Sequence, residues 1–126
     1  MRLVFGEKDA PYEEARVVVL PVPYDLSLSF LPGARRGPEA ILLASRELEP
    51  FLLELGAAPE EVGIHAAEPV PWVAGMAEES HRLIREEALK HLRAGKWLVA
   101  LGGDHSVTHP LVQAHREALG EFSLLH

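Results

Sequence analysis

Trp97-Leu-Val-Ala-Leu-Gly-Gly-Asp-His-Ser106 is the stretch whose reading decides the fold. Residues 97–101 are a short, unbroken apolar run, the pattern of a strand buried on both faces. Two glycines follow and permit a tight turn with close backbone approach. Asp104 and Ser106 are the residue types that cap a helix start. The segment therefore predicts a strand passing directly into a helix. In open α/β sheets ligands bind in the crevice at the carboxyl ends of the strands, which is where this reading puts His105. An imidazole there suits a borderline divalent metal or neutral-pH proton transfer. The same residues also suit a plain strand-to-helix turn, with Asp104 and Ser106 satisfying orphan amides. Spacing leaves both readings open.

Working outward, Arg16-Val-Val-Val-Leu20 is a second buried-strand run, ended by Pro21 and Pro23. Residues 21–37 carry Pro21, Pro23, Pro32, Gly33 and Gly37 and predict a long irregular loop, a class often functional in compact domains. Gly37-Pro38 opens a helix with Glu39 at its positive end, continued by Ile41, Leu42 and Ser45 and broken around Pro50. Residues 51–55 form an apolar turn ended by Gly56, and Glu61–Ala66 predicts a short strand. From about Met76 to Arg93, residues Met76, Ser80, Leu83, Ile84, Ala88 and Leu92 recur at helical spacing, with Gly95 as terminator. Another helix runs through about Leu119, and Phe122–Leu125 begins a further strand. Strands and helices alternating at these separations predict a three-layer α-β-α fold with a mainly parallel sheet. Residues 1–126 read as a single domain, the N-terminal portion of an incomplete α/β domain.

Composition narrows the function classes. A net charge of −7 leaves no basic stripe to track nucleic-acid phosphates, and it accommodates a cationic small substrate. Cysteine is absent, which excludes disulfides and thiolate metal sites. No apolar run approaches a membrane span, so the expected compartment is the cytoplasm. Asparagine is absent and Gln113 is the lone glutamine, a depletion expected of a thermophile.

Other histidines are less promising. His105-Ser-Val-Thr-His109 has i, i+4 spacing, but Pro110 belongs in a first helical turn, so the two rings do not share a continuous helical face. His81, His91 and His115 lie in helical stretches and read as surface or boundary residues. In the proline-rich loop, Tyr24, Asp25, Arg35 and Arg36 are candidates to face a ligand, and Asp25 is placed to pair with Arg35. A structural loop or a subunit contact is the competing account.

Taken together, residues 97–106, Pro23-Tyr-Asp25, Pro32-Gly-Ala-Arg-Arg-Gly-Pro38, Ala44-Ser45 and Leu92-Arg-Ala-Gly-Lys96 resemble the ureohydrolase family of arginases, agmatinases and formimidoylglutamases. The resemblance spans roughly residues 16–126 and is most like agmatinase. Pro21, Leu31 and Ile64-His-Ala-Ala-Glu68 depart from the family pattern. What it implies is a two-Mn centre whose shared hydroxide attacks a guanidinium carbon to release urea and an amine, as in polyamine biosynthesis. His105 is then the first metal ligand, Asp104 and His126 are possible supports behind it, and Tyr24, Asp25 and Arg35 belong to the substrate loop. The resemblance leaves open whether Asp104 caps a turn and His126 packs in a core instead. In relatives the strand matching Phe122–His126 runs into Asp-Ala-His-x-Asp, and a later Asp-x-Asp completes the ligand set. This chain has three aspartates, Asp9, Asp25 and Asp104. No catalytic group beyond the ligand is assigned, and the 126 residues alone are expected to be inactive.

The implied substrate is agmatine, with aminopropylagmatine or arginine as variants, and the implied assembly is a homo-oligomer. Neither nucleic acid nor membrane is an expected partner. The rival class is a non-catalytic truncated domain that self-associates or pairs with its missing half through an uncovered sheet edge. A flavodoxin-like nucleotide binder is a weaker rival, since no glycine-rich phosphate loop leads from the first strand to its helix.

Overall fold

The computed structural model describes residues 4–27, 30–49 and 51–126. Pro50, where the sequence places the break after the first helix, lies outside them. Three parallel strands, β1 (Val17–Val22), β2 (Ile64–Ala66) and β3 (Trp97–Gly102), lie in the order β2-β1-β3. Three helices, α1 (Gly37–Ala44), α2 (Ala77–Arg93) and α3 (Thr108–Leu119), alternate with them along the chain. Val19 packs with Leu42 of α1 and Ile64 on one face of the sheet. On the other, Leu20 and Val22 pack with Ile84, Ala88, Leu89 and Leu92 of α2 and Ala114 of α3. The expected three-layer, parallel α/β arrangement is what the chain adopts.

β1 is the central strand, and five of its six residues are buried. It runs through Pro21 to Val22 where the sequence ends it at Leu20. The reason lies in which way each residue faces. Arg16 accepts from Trp97 on the β3 side, whereas the Val19 and Pro21 carbonyls accept from Ala67 and Val70 on the β2 side. β2 pairs only with Val17–Val19, so the donor that Pro21 lacks would have pointed past the end of that ladder.

Two other expectations are corrected. Only Ile64–Ala66 of the 61–66 run is strand, since Pro59–Val62 forms a 3-10 turn. Phe122–Leu125 forms no strand. That segment lies against α3 instead, where the Phe122 and His115 rings are 6.2 Å apart and Leu124 borders a cleft with Leu111 and Val112. Leu125 is 98% exposed.

His91 departs furthest from its expected surface position. It is 2% exposed, and its Nδ1 meets the Tyr12 hydroxyl at 2.9 Å. Burial depresses its pKa, Glu87 pulls it up and Lys90 and His65 push it down, with a net lowering. The segment carrying Tyr12 is held further by Lys96, whose Nζ donates to the Tyr12 and Ala15 carbonyls at 2.8 and 2.6 Å and lies 4.9 Å from the Tyr12 ring centroid.

Candidate metal-ligand turn

At the carboxyl end of β3 the chain turns sharply, and Gly103 sets how sharply. A Cβ at this position would fall 2.0 Å from the Tyr24 carbonyl oxygen. That carbonyl accepts the Asp104 N–H at 2.8 Å. The turn after β3 and the loop after β1 are therefore pressed together backbone to backbone. Only a residue without a side chain fits between them.

Asp104 locks this junction. Its buried carboxylate accepts from the Ser27 N–H and hydroxyl at 3.0 and 2.7 Å, and from the Ser106 N–H and hydroxyl at 2.9 and 2.5 Å. Burial pushes its pKa up, but the bonds from Ser106 and Ser27 together outweigh it and hold the carboxyl below its ordinary value. Burial, and then the Asp104 charge, push the neighbouring Tyr24 hydroxyl up. Asp104 thus caps the His105–Val107 turn, as the structural reading expects, and in the same stroke ties that turn to the proline-rich loop.

The loop is also folded on itself. Asp25 is buried, accepts from the N–H groups of Gly33 and Arg35 at 2.9 and 3.3 Å, and lies 3.7 Å from the Arg35 guanidinium. The expected Asp25–Arg35 pairing is therefore present. Arg35 also sits 5.8 Å from the centre of the Trp72 ring. Leu31, on this loop, holds φ at 42° without being glycine, a local strain of the kind that collects around functional loops.

His105 emerges from this clamp exposed to solvent. Its ring stands edge-on to that of His126, with centroids 5.8 Å apart. His126 is exposed, so core packing does not describe it. His109 lies at the start of α3, just before the buried Pro110, and does not share a helical turn with His105. His81 reaches the junction from α2. Its Nε2 is 3.4 Å from the Ser106 hydroxyl and its ring 5.4 Å from that of Tyr24.

Sequence reasoning missed Ser27, Trp72 and His81 as members of this neighbourhood. Helical spacing carried a signal for His81, which follows the inward Ser80 and precedes Ile84 by three positions. No local pattern marks Ser27, whose role exists only once two distant segments meet.

Chemically, the turn offers one accessible imidazole on a rigid support. Among the described residues no group of three or more His, Cys, Asp or Glu side chains is placed to hold a metal ion. His105 fits a metal as a single donor, and these residues do not by themselves fit a two-metal centre. A cleft of about 470 Å³ bordered by Phe5, Leu48, Leu52 and Ile64 holds none of the candidate residues. No described helix is long and apolar enough to cross a membrane.

The arginase family model matches residues 15–126. The chain is 97% identical over 126 residues to an N(1)-aminopropylagmatine ureohydrolase of Thermus thermophilus, covering all of this chain and 43% of that protein. It is 34% identical to an agmatinase of Bacillus anthracis, over 98% of this chain and 42% of that one. Among solved structures, a hypothetical agmatinase from Burkholderia thailandensis superposes with a TM-score of 0.80 at 31% identity, over 87% of this chain and 36% of the other. A Mn2+-containing formiminoglutamase from Trypanosoma cruzi shares the fold, with a TM-score of 0.76 at 24% identity over 86% and 37%. The chain thus spans about two-fifths of the curated relatives it matches.

Proposed function

This chain belongs to the arginase family, and on that premise we propose that residues 1–126 form one part of a larger ureohydrolase domain, contributing His105 as a metal ligand. The observation that carries the reading is the clamped turn. An accessible imidazole stands at the carboxyl end of a central-sheet strand, and Asp104 bonds its support to the loop bearing Tyr24, Asp25 and Arg35. The Mn2+ of the Trypanosoma relative supports manganese as the ion. No second ligand is assigned among the described residues, where no group of three or more His, Cys, Asp or Glu side chains is gathered, and no catalytic step is assigned to this chain's own groups.

A guanidino compound is the proposed substrate, hydrolysed to urea and an amine. The opening loop alone pointed to agmatine, whereas the 97% identity to a named aminopropylagmatine ureohydrolase supports the polyamine-extended substrate ahead of it. The net charge of −7 accords with a cationic substrate. Amide depletion accords with the Thermus thermophilus source of that relative. A cytoplasmic homo-oligomer acting in polyamine biosynthesis is the cellular counterpart of this reading.

Urea release is the test, with Mn2+ and either aminopropylagmatine or agmatine. It compares this chain, the chain extended by the unmatched part of the Thermus thermophilus relative, and the extended chain carrying His105→Ala. The extended chain should release urea, while the 126 residues alone and the His105→Ala form should not. An inactive extended chain overturns the enzymatic reading, and full activity in His105→Ala overturns the ligand role.

A further inference from the structure

Residues 4–16 form neither helix nor strand, and a small set of contacts holds them to the sheet. The Ala10 N–H donates to the Ile64 carbonyl at 2.8 Å and Asp9 Oδ1 accepts the Ala66 N–H at 2.7 Å, which fixes the segment along β2. Tyr12 fixes it to α2. The Tyr12 ring packs against those of His65 and His91, with centroids 5.4 and 5.5 Å away, and its hydroxyl meets His91 Nδ1 at 2.9 Å. The Lys96 ammonium lies against the same ring while it donates to the Tyr12 and Ala15 carbonyls.

His91 is badly placed to carry a charge. Its Nε2 is buried and makes no hydrogen bond among the described residues. Glu87 Oε1 lies 3.3 Å from it but accepts from Lys90 Nζ at 2.6 Å, so that carboxylate is already engaged. Cationic or protonatable groups face it from three elements: Lys90 on α2, His65 on β2, and Lys96 just before β3. The other carboxylate nearby, Asp9, stands 3.5 Å from His65 Nδ1. An imidazolium at this position is a cation held out of water with a shared counter-ion.

We propose that His91 and Tyr12 form an acid-sensitive latch that holds the amino-terminal segment shut and releases it when the His91 ring takes up a second proton. While the ring is neutral, Nδ1 accepts the Tyr12 hydroxyl proton and Nε2 carries its own toward Glu87. Protonation makes both ring nitrogens donors, so the hydroxyl loses its acceptor and the buried charge calls for water. Lifting residues 9–15 admits that water at less cost than opening α2 or β1, because the segment has few main-chain bonds to lose. The shut state is fully held above the free-imidazole value of about 6.5 and is lost as pH falls through the lower value of the shut state. Release uncovers the edge of β2. It also frees Phe5, Gly6 and Glu7, which border the cleft of about 470 Å³ beside Ile64.

The test is amide hydrogen exchange, corrected for intrinsic rates, on the 126 residues and on the extended chain of the urea assay. It compares about pH 7.5 with about pH 5, where carboxylates are still largely ionised. The Ala10, Glu14, Ala15 and Ala66 amides, all bonded through the segment, should lose protection at least about fivefold in acid while β1 and α2 keep theirs. His91→Asn leaves an acceptor near the place of Nδ1 that takes no proton, and should hold these amides protected at both pH values. Tyr12→Phe keeps the ring without the hydroxyl and should lower their protection at neutral pH. His65→Gln should leave the acid response in place. Ring-nitrogen shifts of His91 in the unsubstituted chain, followed by NMR, should titrate together with the loss, which decides the matter even where His91→Asn does not fold. Unchanged protection in acid overturns the proposal, as does a loss shared equally by β1. A response that survives His91→Asn, vanishes in His65→Gln, or occurs in the shorter chain but not the extended one also overturns it.

Discussion

At the scale of single residues, the turn after β3 depends on what Gly103 lacks and what Asp104 supplies. Adding one methyl group at 103 drives it to 2.0 Å from the Tyr24 carbonyl oxygen, and main-chain atoms on both sides leave nothing flexible to yield. Gly103→Ala is expected to cost about 3 kcal/mol or more, read from urea unfolding midpoints. Asp104→Ala strands the Ser27 and Ser106 donors and is expected to cost about 2–4 kcal/mol. Asp104→Asn keeps one acceptor oxygen for two sets of donors and should fall between wild type and alanine. An asparagine variant as stable as wild type would show that the carboxylate charge adds nothing to the clamp. Both positions stand in the Gly-Gly-Asp-His-Ser run, so the sequence marked them as a turn. Their partner Ser27 is 77 positions away from Asp104, and no local pattern joins the two.

At the scale of elements, α2 shows how periodicity succeeds and where charged neighbours mislead. Ile84, Ala88, Leu92 and His91 fall on one buried stripe, and His91 follows Ile84 by seven positions, two helical turns. Flanking Lys90 and Arg93 made it look exposed, because charge was read along the chain rather than around the helix. Its burial has a pH consequence. A histidine whose folded pKa is depressed takes up its proton more readily in the unfolded chain. The stability it contributes is fully present above the unfolded value of about 6.5 and is lost as pH falls through the lower folded value. Unfolding midpoints should therefore drop on acidification through that window, and His91→Leu should flatten the drop. A rise on acidification would mean that attraction to Glu87, 3.3 Å from His91 Nε2, outweighs burial. The strap across this helix was half legible. Lys96 stood in a run that resembled the family, yet its bonds to the Tyr12 and Ala15 carbonyls emerge only when the amino-terminal segment folds back.

At the scale of the whole molecule, alternation of runs was enough to recover the layers, because each βαβ unit records its connectivity locally. What alternation cannot carry is lateral strand order and coverage. β1 and β3 read alike as buried apolar runs, but β1 is buried along five of six residues while β3 shows alternate residues to solvent. Phe122–Leu125 had the composition of a strand and lies against α3 without a ladder, for the same reason: pairing depends on what lies alongside. The core is consequently lopsided, and mutation should map the imbalance. Leu20, fully buried in β1, is expected to cost about 3 kcal/mol as Leu20→Ala. Trp97→Thr should leave the stability of the chain alone within about 0.5 kcal/mol of wild type, because the ring is already largely in water. Comparable losses from the two substitutions, in urea titrations of the unmixed chain, would mean that β3 is covered in solution and that the hydrophobic core extends across the full width of the sheet.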